Sequence, residues 1–312
     1  MNLQAISVGY AVPRVDFDVV VHSVFQSAAN LKLQEENRLL TLLASGETDL
    51  PQGIRLDTPK GFSFDKLPVG IRGICRGGIL SLKNSSLIMN LRKAKYWDDN
   101  LLTVNADMTN PTVITAWQST WQALNDRQVN SGSELVARDL LSQTSKRSAL
   151  TQRISKSLHN ILMATRQFNL TIDNEINALI GLGTGLTPNG DDILIGYLAG
   201  LWCTTNGKTE RLEFLSTLSE AVIRLSNGTN DISRTYLYHA ANGHFSSRLI
   251  NLTNAICSGS DPEHIQSCAE SAMQVGHTSG MDVVSGLLIG LIAWTDAKYI
   301  AKRECPRNPL AC

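Results

Sequence analysis

Residues 190–201 read Gly190-Asp191-Asp192-Ile193-Leu194-Ile195-Gly196-Tyr197-Leu198-Ala199-Gly200-Leu201. Further on, the chain reads Gly280-Met281-Asp282-Val283-Val284-Ser285-Gly286-Leu287-Leu288-Ile289-Gly290-Leu291. Each copy has a glycine, an aspartate two residues later, glycines six and ten later, then a leucine. A polar, turn-prone loop precedes each: Gly183-Thr184-Gly185-Leu186-Thr187-Pro188-Asn189 in the first and Gly276-His277-Thr278-Ser279 in the second. Apolar residues at three- and four-residue spacing make both copies helices. Gly196/Gly200 and Gly286/Gly290 then lie on one face of each helix. Interior glycine costs ~1 kcal/mol against alanine, so four of them need a reason. Close approach of two helix backbones supplies it. If the two helices pack through these faces, the loops lie side by side and build one pocket with approximate two-fold symmetry.

The helical pattern extends outward from the repeat. Val113–Leu124, Ser133–Ser142 and Ser148–Arg166 carry the same spacing, with Ser133 and Ser148 at cap positions. Asn206-Gly207, Asn227-Gly228, Asn242-Gly243 and Ser258-Gly259 act as breaks, and the tail 303–312, with Pro306 and Pro309, is expected to fray. The front reads differently. Segments 38–44, Gly53–Leu56, 71–75, Ile79–Leu82 and 87–91 are short apolar runs between Gly and Asn turns, which predict strands. Residues 17–30 read as a lead-in helix. The expected class is α+β: a β-rich N-terminal domain over residues 1–130, a small barrel or sandwich, then an α-helical domain over 131–312 with two glycine-loop/helix repeats. Trp97, Trp117 and Trp121 are expected in the core or at a domain boundary.

Composition narrows the function. The 312 residues carry 28 basic and 28 acidic side chains, so the basic excess of a phosphate-backbone binder is missing and no nucleic-acid partner is expected. The longest apolar stretches, 193–202 and 283–294, fall short of the roughly 20 residues that span a bilayer. The N-terminus shows no basic segment followed by an apolar run. Neither membrane nor export is expected, and the chain reads as cytoplasmic. No two of the six cysteines have C-x-x-C spacing, so reduced thiols are expected rather than zinc or a redox motif.

Each repeat presents a small-residue loop feeding a helix N-terminus, whose unpaired N–H groups and partial positive charge favour an anion. Gly183, Thr184, Gly185, Thr187, Asn189 and Gly190 in one copy, and Thr278, Ser279 and Gly280 in the other, are candidate contacts to a phosphate or carboxylate. No G-K-[ST] follows the glycines, and Gly181-x-Gly183 lacks the third glycine of a dinucleotide fingerprint. Asp191, Asp192 and Asp282 have two readings. They cap helices, or they act on a ligand, with Asp191 and Asp192 holding Mg²⁺ beside a phosphate or accepting N–H groups. Adjacent aspartates repel, so capping explains one better than both. His277 is a candidate acid or base. Ser233 and Thr235 either cap the helix that follows or, for Ser233, touch a ligand. His22, His159, His239, His244 and His264 show no metal-ligand spacing.

Residues 181–192, Gly-Leu-Gly-Thr-Gly-Leu-Thr-Pro-Asn-Gly-Asp-Asp, resemble the G-x-G-[PT]-G-L-T-P-[SN]-G-D-D signature of the AllH-type family. Gly276-His277-Thr278-Ser279-Gly280-Met281-Asp282 is similar to its G-H-[ST]-S-G-x-D element, and the stretch 233–243 to its S-x-x-[YL]-L…A-A-x-G stretch. Thr184 stands where proline is more frequent, and Asn189 where serine is usual. The resemblance implies a subunit of an oxamate carbamoyltransferase, phosphorolysing oxalurate to oxamate and carbamoyl phosphate in anaerobic allantoin and purine breakdown. It also implies FdrA-type and AllG-type partner subunits. Asp191, Asp192, His277 and Asp282 are then the candidate catalytic residues. Two other classes stay open: a non-catalytic anion-binding assembly or sensing subunit, and a Mg²⁺-dependent hydrolase using the three aspartates.

Overall fold

Strand alternation governs the front of the chain. The computed structural model describes residues 1–34, 38–141 and 148–295. Nine strands lie in its first part: β1 (Asn2–Gly9), β2 (Phe17–Val24), β3 (Ala28–Leu33), β4 (Leu39–Leu43), β5 (Gly53–Leu56), β6 (Arg72–Arg76), β7 (Ile79–Leu82), β8 (Ile88–Asn90) and β9 (Lys95–Trp97). The sheet order is β5-β4-β3-β2-β6-β7-β8-β1-β9, and β1 also pairs with β5. That pairing, Ala5 opposite Leu56 and Val8 opposite Ile54, closes β1–β8 into an eight-stranded barrel. The other edge of β1 serves β8 through Asn2–Gln4, then β9 through Ser7–Gly9. Closure leaves the ring without a free edge. Every second residue of β1 turns inward, and Leu3, Val19, Val21, Leu31, Leu42, Ile54, Leu80 and Met89 fill the interior.

The expected helix over residues 17–30 is instead a hairpin of β2 and β3, turned where the Phe25 amide donates to the Ala28 carbonyl. Phe17, Val20, Val21 and Val24 fit helical spacing, but Val19-Val20-Val21 is a β-branched run whose stiff χ1 angles favour a strand. β1 and β9 escaped the sequence reading altogether.

Ten helices follow among the described residues: α1 (Pro111–Asn130), α2 (Ala137–Leu141), α3 (Ala149–Gln167), α4 (Asp173–Leu179), α5 (Asn189–Thr204), α6 (Thr209–Leu225), α7 (Asp231–Ala241), α8 (Ser247–Ser258), α9 (Pro262–Met273) and α10 (Ser279–Leu291). No strand occurs among the described residues after Trp97. Ser148 caps α3 by accepting the Thr151 amide, as its position predicts. Ser133 caps nothing: its hydroxyl donates to the Leu135 carbonyl and α2 starts only at Ala137. The end of that expected helix at Ser142, the tail 303–312, and Cys305 and Cys312 lie outside the described residues. The other four cysteines are free thiols.

Two compact units result, 1–100 with 244–250, and 101–243 with 251 onward. The boundary falls at residue 100 rather than near 130. The reason is α1, which packs with α9 and α10 and sends the Trp117 indole N–H to the Leu288 carbonyl at 2.8 Å. Trp121 stacks on Trp117, while Trp97 is buried in the first unit. Residues 244–250 belong to the barrel unit, where His244 stacks on Tyr10 and Ser247 Oγ lies 2.6 Å from Thr48 Oγ1.

In the helical unit α5 and α10 form the centre. All of α5 except Asn189 and Trp202 is buried, and so is nearly all of α10. Helices apolar on every side belong inside a bundle. Thr165 of α3 and Gln128 of α1 meet them with hydrogen bonds to Tyr197 and Ser285. No helix among the described residues is long and apolar enough to cross a membrane.

Candidate functional site

The four interior glycines set the site. A Cβ on Gly196 would lie 1.9 Å from the Val283 carbonyl oxygen, and one on Gly286 would lie 2.1 Å from that of Ile193. One on Gly200 would meet the Leu287 oxygen at 2.6 Å, and one on Gly290 the Tyr197 oxygen at 2.4 Å. The contacts exchange in register, so α5 and α10 run parallel about a local two-fold axis with their N-termini together. The relation extends upstream. A Cβ on Gly190 would strike the Leu179 carbonyl at the end of α4, and one on Gly280 the Ala272 carbonyl near the end of α9. Each repeat is thus a helix, a loop and a second helix.

Parallel packing brings two partial positive charges side by side, which acidic first turns offset. Asp191, Asp192 and Asp282 occupy those turns, and neither helix has a side-chain cap. Capping therefore accounts for none of the three. Asp191 is buried and holds the first loop, accepting the Gly181 amide at 2.8 Å and the Thr229 hydroxyl at 2.6 Å. Burial raises its pKa while these donors lower it. With both oxygens engaged inside the protein, Asp191 is an anchor of the loop.

Asp192 and Asp282 are equivalent under the repeat and buried to 3% and 1% exposure. Asp282 Oδ2 accepts the Asn189 amide at 2.7 Å, but its Oδ1 and the Oδ2 of Asp192 are buried without partners. Burial pushes Asp282 up to about 7. Burial and then the Asp282 charge push Asp192 well above the carboxylate range, against the Ser279 and Thr187 hydroxyls that favour its ionised form. Burial of both groups and the charge of Asp282 on Asp192 oppose full ionisation of the pair. Thr187 Oγ1 and Ser279 Oγ, 2.6 Å apart, tie the loops directly. The two loops meet as their spacing predicts.

The segment before α7 completes the site. Asn230 caps α7 through the Ile232 and Ser233 amides and donates its side-chain amide to the Leu186 carbonyl at 2.9 Å. Ser233 is buried beside Asp191 with no hydrogen bond of good geometry for its hydroxyl, while Thr235 bonds back to the Asp231 carbonyl. Thr229 and Asn230 were missed by the sequence reading because their role depends on a contact remote in sequence. Thr184 and Gly185 are exposed, Gly183 is half-buried, and a Cβ on Gly183 would strike Asn189. Thr278 immediately precedes α10, and His277 beside it is exposed. Among the described residues no three His, Cys, Asp or Glu side chains are arranged as metal ligands.

Two family profiles match the chain. The one described as oxamate carbamoyltransferase subunit AllH covers residues 179–291, which span both loops. The AllH family N-terminal domain covers residues 8–97, within the barrel unit. Together they account for more than half of the chain. No solved structure matches it.

Proposed function

The chain belongs to the AllH family of oxamate carbamoyltransferase subunits, and from that premise we propose that its two loops bind the reactants of oxalurate phosphorolysis. Phosphate oxygen attacks the carbamoyl carbon, the bond from that carbon to the oxamate nitrogen breaks, and the nitrogen takes the phosphate's proton. Carbamoyl phosphate and oxamate leave. Phosphate is already an anionic nucleophile at neutral pH, so the reaction needs positioning of two like-charged reactants and stabilisation of the carbonyl oxygen. The Thr184–Asn189 loop holds phosphate, with Thr187 as a hydroxyl donor. The unpartnered oxygens of Asp192 and Asp282 accept the carbamoyl N–H groups. His277, beside the second helix start, donates to the carbonyl oxygen. The pathway is anaerobic allantoin and purine breakdown in the cytoplasm, and FdrA-type and AllG-type subunits complete the enzyme.

The observation that carries this reading is the pair of buried, unpartnered carboxylate oxygens where the two loops meet. Such atoms cost stability unless a ligand or proton satisfies them. Oxalurate phosphorolysis by the reconstituted complex tests it. Asp192→Asn, Asp282→Asn and His277→Ala each lower the rate, by ~10²–10³ for a well-placed electrostatic group. Rates within about twofold of the parent for all three, in a correctly assembled complex, place the chemistry on another subunit.

A further inference from the structure

A cleft of about 640 Å³ opens on the first loop, lined by Gly181–Thr184 together with residues of α3 and α4. No residue of the second loop lines it. Arg153 of α3 and Asn177 of α4 are among these lining residues. Arg153 is exposed and, among the described residues, forms no ion pair, while several other surface arginines are matched, Arg224 with Asp173 and Arg76 with Asp18 among them. The amides of Gly183 and Thr184, which line the same cleft, donate to no acceptor among the described residues. Gly183 has a positive φ (125°), a conformation that glycine adopts without a Cβ penalty. A guanidinium, two free amides and Thr184 thus border one cleft, and no carboxylate among the described residues lines it.

We propose that Arg153 is the charged contact of an inorganic phosphate site in this cleft, completed by the amides of Gly183 and Thr184 and the Thr184 hydroxyl. The inference rests on the phosphate role proposed for this loop, adds the side chain that carries the charge, and requires phosphate rather than the oxamyl carboxylate there. The donor count decides between them. Phosphate spreads its acceptor oxygens in three dimensions and meets the guanidinium, the amides and the hydroxyl together, whereas a planar carboxylate with two oxygens accepts fewer of these donors. Arg153 has no counterpart in the repeat signature, because it lies on another helix, and sequence reasoning had no means of finding it.

Calorimetric titration of the full chain with inorganic phosphate, and in parallel with oxamate, tests the assignment without partner subunits. Arg153→Ala is expected to weaken phosphate at least about tenfold, as for loss of a charge-assisted hydrogen bond. Arg153→Lys, which keeps the charge and loses the fork, falls between. Lys156→Ala, on the same helix, controls for charge alone and leaves binding unchanged. Thermal unfolding of each variant confirms the fold, which an exposed, unpaired side chain does not support. Phosphate binding within twofold of the parent in Arg153→Ala, or an Arg153 dependence confined to oxamate, overturns the assignment. No phosphate binding by the parent chain overturns it together with the anion role of the loop. Arg153-dependent phosphate binding in a chain whose complex fails to phosphorolyse oxalurate leaves this site standing and removes the carbamoyltransferase reading.

Discussion

The two loop-helix repeats share their packing and differ in what holds their loops. Gly196 and Gly286 touch the partner backbone in the same way, and Gly190 and Gly280 rest on the ends of their preceding helices in the same way. The loops are unequal, residues 180–188 against 274–278. The longer one is anchored by Asp191 to Gly181 and Thr229, and by Asn230 to the Leu186 carbonyl. At the position of Asp191 the second repeat has Met281, which is buried and carries no carboxylate. A short turn between packed helices has little freedom to remove, whereas a long glycine-rich loop costs more entropy to order. The scaffold is duplicated; the polar anchoring belongs to one copy.

The largest effects break the shared part. Gly196→Leu and Gly286→Leu each drive a side chain into the opposing backbone, so each destabilises by about 3 kcal/mol or more, at the upper end of overpacking. Urea unfolding of the two should give matching losses. A large loss in one and a small loss in the other would show that the two-fold relation is not energetic. Asp191→Ala tests the unshared part. It strands the Gly181 amide and the Thr229 hydroxyl, costing roughly 1–3 kcal/mol, and hydrogen exchange should quicken in residues 180–188 but not in 274–278. Equal quickening in both loops would mean that Asp191 supports the bundle rather than its own loop.

A pH series sharpens the comparison of the paired aspartates. Burial raises Asp282 to about 7 in the folded protein, against ~3.9 in an unfolded chain. The folded state then binds the proton more tightly, so the contribution is full below about pH 4 and is lost as pH rises to about 7. Asp282→Asn removes this loss, flattening stability against pH by at most ~1.4 kcal/mol per pH unit. Asp192→Asn should flatten it in the same direction, and an unchanged slope in both would mean the pair is solvated. The smallest effect is Thr187→Val, which removes the Thr187–Ser279 hydrogen bond between the loops and costs about 0.5–1.5 kcal/mol in chemical denaturation. A cost well above that range would mean the hydroxyl holds more than the second loop.

Local pattern made much of this protein readable. Glycines four apart on apolar helices announced a close helix pair, because no other packing requires interior glycine on both faces. Turn residues bracketed β5 and β7 at their observed bounds. Where two periodicities overlapped, as in Phe17–Val24, the local pattern was ambiguous, and pairing of β2 with β3 and β6 made it a strand. The aspartates were visible as candidates, yet Asp191 and Asp192 are neighbours with opposite roles. One is consumed by Gly181 and Thr229, and the other is left with an unpartnered oxygen. That division depends on which way each side chain faces once α4, α7 and α10 are in place. Sequence alone determined the strands-then-helices order and the loop-helix repeat, since these follow from the spacing of apolar and small residues. The closure of β1 on β5, the anchoring by Thr229 and Asn230 and the sharing of one cleft by Arg153 and the first loop were settled by folding, because each brings together residues far apart in the chain, and local spacing carries no record of such meetings.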